Sequence, residues 1–172
     1  MPLLVRKILS GLALGVTARI WMRLITDEPE FSWGGTVGVV GVFVLFALGT
    51  GISLMMSTGS RARDWFGRVV GLLLTLPLFG AAGAQMMPTV ILGSISLHRT
   101  SWKVWIRVFS GLLALVLPVG IIVERLNDDF SVWRALGLFT FAATYFAVLV
   151  MTAPIFGTRR IDSTSESNRA GH

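Results

Sequence analysis

The sequence predicts an all-α protein, a polytopic transmembrane helical bundle with four full spans and a broken central segment. Three observations lead there. Apolar residues make up 53% of 172 residues and charged residues only 14%, where an ordinary soluble domain is about a quarter charged. The mean hydropathy is +0.74. The apolar residues also gather into five runs that approach or exceed the ~20 needed to cross ~30 Å of hydrocarbon. Finally, all six tryptophans (Trp21, Trp33, Trp65, Trp102, Trp105, Trp133) stand near run ends, at the depth where amphipathic rings meet head groups. Disorder, coiled coil and collagen are excluded by the same composition.

The first run, Ile8–Ile25, holds Arg19 and Arg23 in its final third. Thr36–Met56 is free of charge. The third run, Val69–Leu97, is too long for one crossing and is interrupted by Pro77, Gly80-Ala81-Ala82-Gly83-Ala84 and Pro88. Val104–Val123 carries Arg107 near its start and Pro118 near its end; Ala135–Phe156 is again uncharged. Connections are short and polar, so residues 1–157 form a single transmembrane domain, and the Ser- and Arg-rich residues 158–172 are expected to be a disordered cytoplasmic tail. Arg6-Lys7, Ile8–Ala18 and Val16-Thr17-Ala18 loosely fit a secretory signal, but apolar character resumes at Ile20, which favours a retained span.

Basic residues discriminate between topologies. With a single central crossing there are five simple spans. One face then holds Arg6, Lys7, Arg61, Arg63, Arg68, Arg125 and Arg134, and the other Arg99, Lys103, Arg107, Arg159, Arg160 and Arg169. That is almost no bias. If residues 69–97 enter and return to the same side, only Arg125 and Arg134 stay outside, and both termini are cytoplasmic. The positive-inside tendency prefers the second arrangement. Twenty-nine residues cannot supply two full crossings, so the central segment is expected to be a re-entrant hairpin or a short double crossing turning at Gly80–Pro88.

Polar groups in this solvent need reasons. Arg19 and Arg23, four apart, are costly in hydrocarbon unless they reach the interface or a partner. Asp27, Glu28 and Glu30, or Glu124, Asp128 and Asp129 of the later loop, are candidate partners. The cluster reads either as a structural ion-pair cap or as a site for an anionic ligand or lipid phosphate. Gly80, Gly83, Gln85 and Pro88 mark a possible midplane site, because a broken helix exposes backbone ends. Gly11 and Gly15 on the first span form a packing face. So do Gly34, Gly38, Gly41 and Gly49 on the second, which fall within about 80° of arc. Lys103 and Arg107 with Trp102 and Trp105 read as interfacial anchors; Arg61–Arg68 fits an amphipathic turn or a solvated loop.

Catalytic signatures are thin. There is no cysteine, and the two histidines are His98 and the terminal His172. No Gly-rich phosphate loop, Ser-His-Asp set or cation-binding spacing occurs, so neither metal nor cofactor is expected. A pI near 11.3 would suggest nucleic acid in a soluble chain. Here the cations flank apolar runs, so anionic lipid head groups are the expected partners and nucleic acid is not.

A weak internal repeat pairs Arg23-Leu24 and Phe31-Ser32-Trp33 with Arg125-Leu126 and Phe130-Ser131-Val132-Trp133, and Ser10-Gly11-Leu12 with Ser110-Gly111-Leu112. It suggests parallel copies flanking the broken segment, as in many transporters. The stretch Arg19–Ile25, then Asp27, Pro29-Glu30-Phe31-Ser32-Trp33 and Thr36, together with Leu76–Ala84 and Met87-Pro88-Thr89, resembles a group of uncharacterised small polytopic membrane proteins of high-GC actinobacteria. That resemblance covers most of the chain except the tail. It implies a bacterial inner-membrane location and no assigned activity. The expected role is a non-enzymatic membrane component that packs with itself or with partner proteins. The alternatives are a small oligomeric permease or channel using the Gly80–Pro88 break, and a lipid-binding or lipid-modifying protein.

Overall fold

The computed structural model of the chain describes residues 2–25, 32–57, 60–82, 86–127 and 131–157. All of its regular elements are helical: α1 (Leu3–Ile25), α2 (Trp33–Met56), α3 (Arg61–Ala82), α4 (Met86–His98), α5 (Val104–Asn127), α6 (Val132–Met151) and the short α7 (Ala153–Phe156). Four stretches are long and apolar enough to cross a membrane: Leu3–Ile25, Trp33–Met56, Val104–Arg125 and Val132–Phe156. The four expected spans are therefore present, each beginning on or before its predicted first residue.

The helix starts explain part of the sequence repeat. Ser32 caps α2 by accepting from the Gly35 amide at 3.2 Å, and Ser131 caps α6 by accepting from the Arg134 amide at 3.2 Å. Phe-Ser-Trp and Phe-Ser-Val-Trp are thus two copies of a helix-start signal, a hydroxyl acceptor followed within two residues by an interfacial tryptophan. The hairpins they belong to are packed differently. α1 lies closely along α2, whereas α5 packs mainly on α4 and touches α6 little. The expected parallel hairpin copies do not extend beyond these caps.

Close approach of α1 to α2 depends on glycine. A Cβ on Gly11 would lie 2.8 Å from the Phe43 carbonyl oxygen, and one on Gly15 2.7 Å from the Val40 Cα. On the opposite face of α2, Gly49 meets Gly71 of α3, where a Cβ would come within 2.9 Å of the Gly71 carbonyl oxygen. Without a hydrophobic drive between helices in lipid, such backbone proximity is what supplies van der Waals contact.

Contact registers give the direction of every helix. Lys7 packs on Gly51, Gly67 on Met56, and Ile155 on Gly71. The start of α1, the end of α2, the start of α3 and α7 therefore share one end of the bundle, the proximal end. Gly137 of α6 lies against Leu24 and Ile25 of α1 at the distal end. α3 runs away from the proximal end, antiparallel to α2. α4 runs back, since Thr89 faces Tyr145, Gly93 faces Leu149 and Ser94 meets Thr152, in step with the returning α6. α3 leaves the proximal end and α4 returns to it, as a re-entrant hairpin or a short double crossing requires; five simple spans would need α4 to run the other way.

Two boundaries move. Arg61–Arg68, expected as a turn or loop, is the beginning of α3. Gly80 is still helical, and the break falls after Ala82 and before Met86. Pro88 sits in the first turn of α4, where a missing amide costs nothing. Both arms are anchored centrally: Leu78 and Phe79 of α3 and Val90 of α4 belong to one buried cluster with Ala18, Phe43, Phe46, Val148 and Leu149. Starting from a cysteine-free chain, Ser60→Cys and Thr100→Cys should be labelled by an impermeant maleimide from one side of the membrane and Ser131→Cys from the other. Labelling of Thr100→Cys from the Ser131 side would refute the returning hairpin.

Candidate functional site

Pro118 lies inside α5 and cannot donate to the carbonyl four residues back, so the Ala114 oxygen loses its helical partner. In hydrocarbon that group must be satisfied by protein. Tyr145, the single tyrosine of the chain, supplies the donor. Its hydroxyl oxygen is 3.0 Å from the Ala114 carbonyl and 3.2 Å from that of Thr89. One hydroxyl proton cannot fully serve both acceptors, and the carbonyl deprived by proline has the stronger need. α4, α5 and α6 therefore meet at one hydroxyl near mid-bundle.

A second set of polar contacts staples the hairpin at the proximal end. Thr152 Oγ1 is 2.7 Å from Ser94 Oγ and 2.6 Å from the Leu149 carbonyl. That carbonyl also lies 2.8 Å from His98 Nε2. A carbonyl only accepts, so Nε2 carries a proton. Ser53 Oγ donates to the Pro154 carbonyl at 3.0 Å. Arg68 Nη1 donates to the Gly157 carbonyl at 2.8 Å, while Arg68 Nε is 3.3 Å from the buried Asp64 carboxylate, one turn earlier. Ser96 and Arg107 bond reciprocally, Ser96 Oγ to the Arg107 carbonyl at 2.6 Å and Arg107 Nε to the Ser96 carbonyl at 2.9 Å. Nearly every bond here ends on a main-chain carbonyl, and most join different helices. Such a network fixes helices rather than presenting reactive groups.

The residues singled out by sequence scatter over three regions. Arg19, half-buried, donates from Nε to Thr36 Oγ1 at 3.2 Å beside the start of α2. It is satisfied by a hydroxyl of the neighbouring helix, a partner the sequence reading did not name. Arg23 and Glu124 are exposed. Asp27, Glu28, Glu30, Asp128 and Asp129 lie outside the described residues, as do Gly83 and Gln85. Gly80 is exposed with nothing within 4 Å of a built Cβ, and Pro88 is exposed. Gly11, Gly15 and Gly49 pack against neighbouring helices, while Gly38 and Gly41 face open space.

Several residues went unnamed in the sequence reading: Tyr145, Ser94, Thr152, Ser53 and Asp64. One signal was available for Tyr145, because a proline inside a span announces a free carbonyl four residues earlier. The hydroxyls gave none, since buried Ser and Thr also bond within their own helices, as Thr50 does to Ala47 at 2.9 Å. Among the described residues, no three of His, Cys, Asp and Glu converge. Trp21 Nε1 is buried there without a hydrogen-bond partner, its ring edge-on to Phe141 at 4.9 Å.

No family model, curated protein or solved structure matches this chain. Its reading therefore rests on geometry. Tyr145→Phe should destabilise the bundle by about 0.6–1.7 kcal/mol, the span measured for hydrogen bonds between membrane helices. In a Pro118→Ala background residue 118 regains its amide, and the cost should fall by about half or more. Reversible unfolding in mixed micelles would read both; equal costs in the two backgrounds would sink the pairing.

Proposed function

We propose that this chain is a non-enzymatic component of a bacterial inner membrane, with both termini cytoplasmic, and that it associates with a second copy or a partner membrane protein through the distal half of α2. The charge distribution supports the orientation. The proximal end, where α1 and α3 start and α4 ends, collects Arg6, Lys7, Arg61, Arg63, Arg68, Arg99, Lys103 and Arg107 among the described residues. The likeness of Arg19–Trp33 and Leu76–Thr89 to small actinobacterial membrane proteins supports the location.

One observation carries the association. The glycine face of α2 is covered along its proximal half by α3, at Gly49 against Gly71. Further along the same face Gly38 and Gly41 have no atom within 4 Å of a built Cβ, and Val37 beside them is 68% exposed. α3 reaches Ala82 but makes no contact with a Cβ built at either position. Glycine in a helix interior costs about 1 kcal/mol relative to alanine. At Gly11, Gly15 and Gly49 that cost is offset by close backbone packing; at Gly38 and Gly41 no described residue offsets it, which leaves the place for a neighbouring helix.

The broken hairpin favours a second reading, a small oligomeric permease acting at the break. Gln85→Leu separates the two. Solute flux in liposomes that is lost with this substitution supports the permease, whereas intact assembly and no change in flux supports the packing role.

Gly38→Leu should weaken association by at least about tenfold while leaving the stability of the single chain nearly unchanged. Gly11→Leu should instead destabilise the chain itself by about 1–3 kcal/mol through overpacking. Analytical ultracentrifugation in a density-matched detergent, paired with unfolding, distinguishes the effects. A wild-type chain that stays monomeric when reconstituted with membrane lipids and extracted mildly would overturn the proposal.

A further inference from the structure

A groove of about 510 Å³ runs along the outside of the bundle between α4, α5 and α6. Small residues make its floor: Gly93 and Ser96 of α4, Gly111 and Ala114 of α5. The walls are apolar side chains such as Val108, Leu115 and Phe146, all lining it and all exposed. Besides Ser96, whose hydroxyl is bonded to the Arg107 carbonyl, the groove is polar at two points. At its proximal mouth stands Arg107, and at its deep end Tyr145. From Val104 to Leu115, both lining it, α5 rises about 16 Å. That is close to the ~15 Å of one leaflet.

The mouth is strongly cationic. Arg107 is half-buried and spends Nε on the Ser96 carbonyl, and no carboxylate among the described residues faces its terminal nitrogens. The chain has no Asp or Glu between Asp64 and Glu124, a stretch containing Arg99, Lys103 and Arg107. Exposed Lys103 stands one turn before Arg107, and Arg99 stacks over the Trp102 ring at 5.7 Å. A guanidinium at the head-group level, with two terminal nitrogens to spare, is built to take a phosphate oxygen pair.

We propose that this groove holds one acyl chain of an anionic glycerophospholipid, with the lipid phosphate on Arg107 and Lys103. The inference rests on the membrane-spanning reading of the bundle and deepens it by naming a lipid class and a position. Charge complementarity selects the head group. The length and apolar lining select the chain, and the satisfied Tyr145 hydroxyl closes the deep end without demanding a polar ligand.

The test uses the full chain in vesicles of equal parts phosphatidylcholine and phosphatidylglycerol, extracted in mild detergent and read by native mass spectrometry. Wild type should retain phosphatidylglycerol in preference to phosphatidylcholine. Arg107→Gln should lower that preference about fivefold, and Lys103→Gln, on an exposed side chain, should act in the same direction. Arg107→Lys should restore part of it, which a purely structural bond to Ser96 would not. Val108→Trp, at an exposed wall position, should reduce retention of both lipids by filling the groove. Excess inorganic phosphate should not displace the retained lipid; displacement would mean a free-anion site. Equal retention of the two lipids by wild type would overturn the proposal. So would a disulfide-linked dimer of Val108→Cys at the wild-type assembly ratio, since a second copy would then fill the groove. Carbonate-resistant flotation with the vesicles reports membrane insertion separately, so failure of the lipid site is not confused with failure of the spanning reading.

Discussion

Hydrocarbon offers no hydrogen bonds, so main-chain groups that lose their helical partner there must find another within the protein. That constraint organises this bundle. The α3–α4 hairpin sets a short helix, α4, among longer ones. It also needs support on both arms, because α4, at 13 residues or about 20 Å, is too short to span alone. The support comes from the returning span. Tyr145 reaches Thr89 and Ala114, Thr152 reaches Ser94, and the Leu149 carbonyl takes His98. The break between α6 and α7 follows the same logic. Pro154 interrupts the helix close to its end, and the loosened turn contributes the carbonyl taken by Ser53 and presents Ile155 to Gly71.

Large parts of this were legible in the residues. Hydropathy and the tryptophans located four spans, since in lipid the polarity of each residue reports directly on depth. The count of cations around Val69–Leu97 pointed to a returning segment, and the proline and glycine cluster located its turn to within a few residues. The start of α3 was not legible. Arg61–Arg68 has the polarity of a loop, yet it is helical because Asp64 and Arg68 pair one turn apart and Arg68 reaches the chain's last described carbonyl at Gly157. A contact 89 residues away in sequence leaves no local trace.

The partner of Arg19 shows a different limit. Charge arithmetic directs a half-buried guanidinium toward carboxylates, and eight of the nine acidic residues belong to the two distal loops, the end of α5 or the tail. Among the described residues the arginine instead finds Thr36, whose hydroxyl also donates to the Ser32 carbonyl at 3.0 Å. A hydroxyl that donates backward along its own helix leaves its lone pairs free to accept a charged donor, and the acidic candidates Asp27, Glu28, Glu30, Asp128 and Asp129 lie outside the described residues. The internal repeat misleads for a related reason. Two segments can share a capping signal because each starts a span at the same depth, without sharing any packing.

The same hairpin accounts for the two places where the bundle is incompletely closed. On the distal half of the α2 glycine face, no described residue comes within 4 Å of a Cβ built on Gly38 or Gly41. Because α4 is short and built of Gly93, Ser94 and Ser96 where it meets its neighbours, it fills the space between α5 and α6 only as a shallow floor. α5 is left touching the rest along the stripe Ser110, Ala114 and Pro118, its buried residues spaced every four positions. A sixth full-length helix would seal both gaps. Returning through a short helix trades that closure for one exposed small-residue face in the distal half and one cation-mouthed groove in the proximal half. The two openings differ in what they suit: backbone proximity on α2 favours another helix, and a charged mouth above an apolar channel favours an amphiphile.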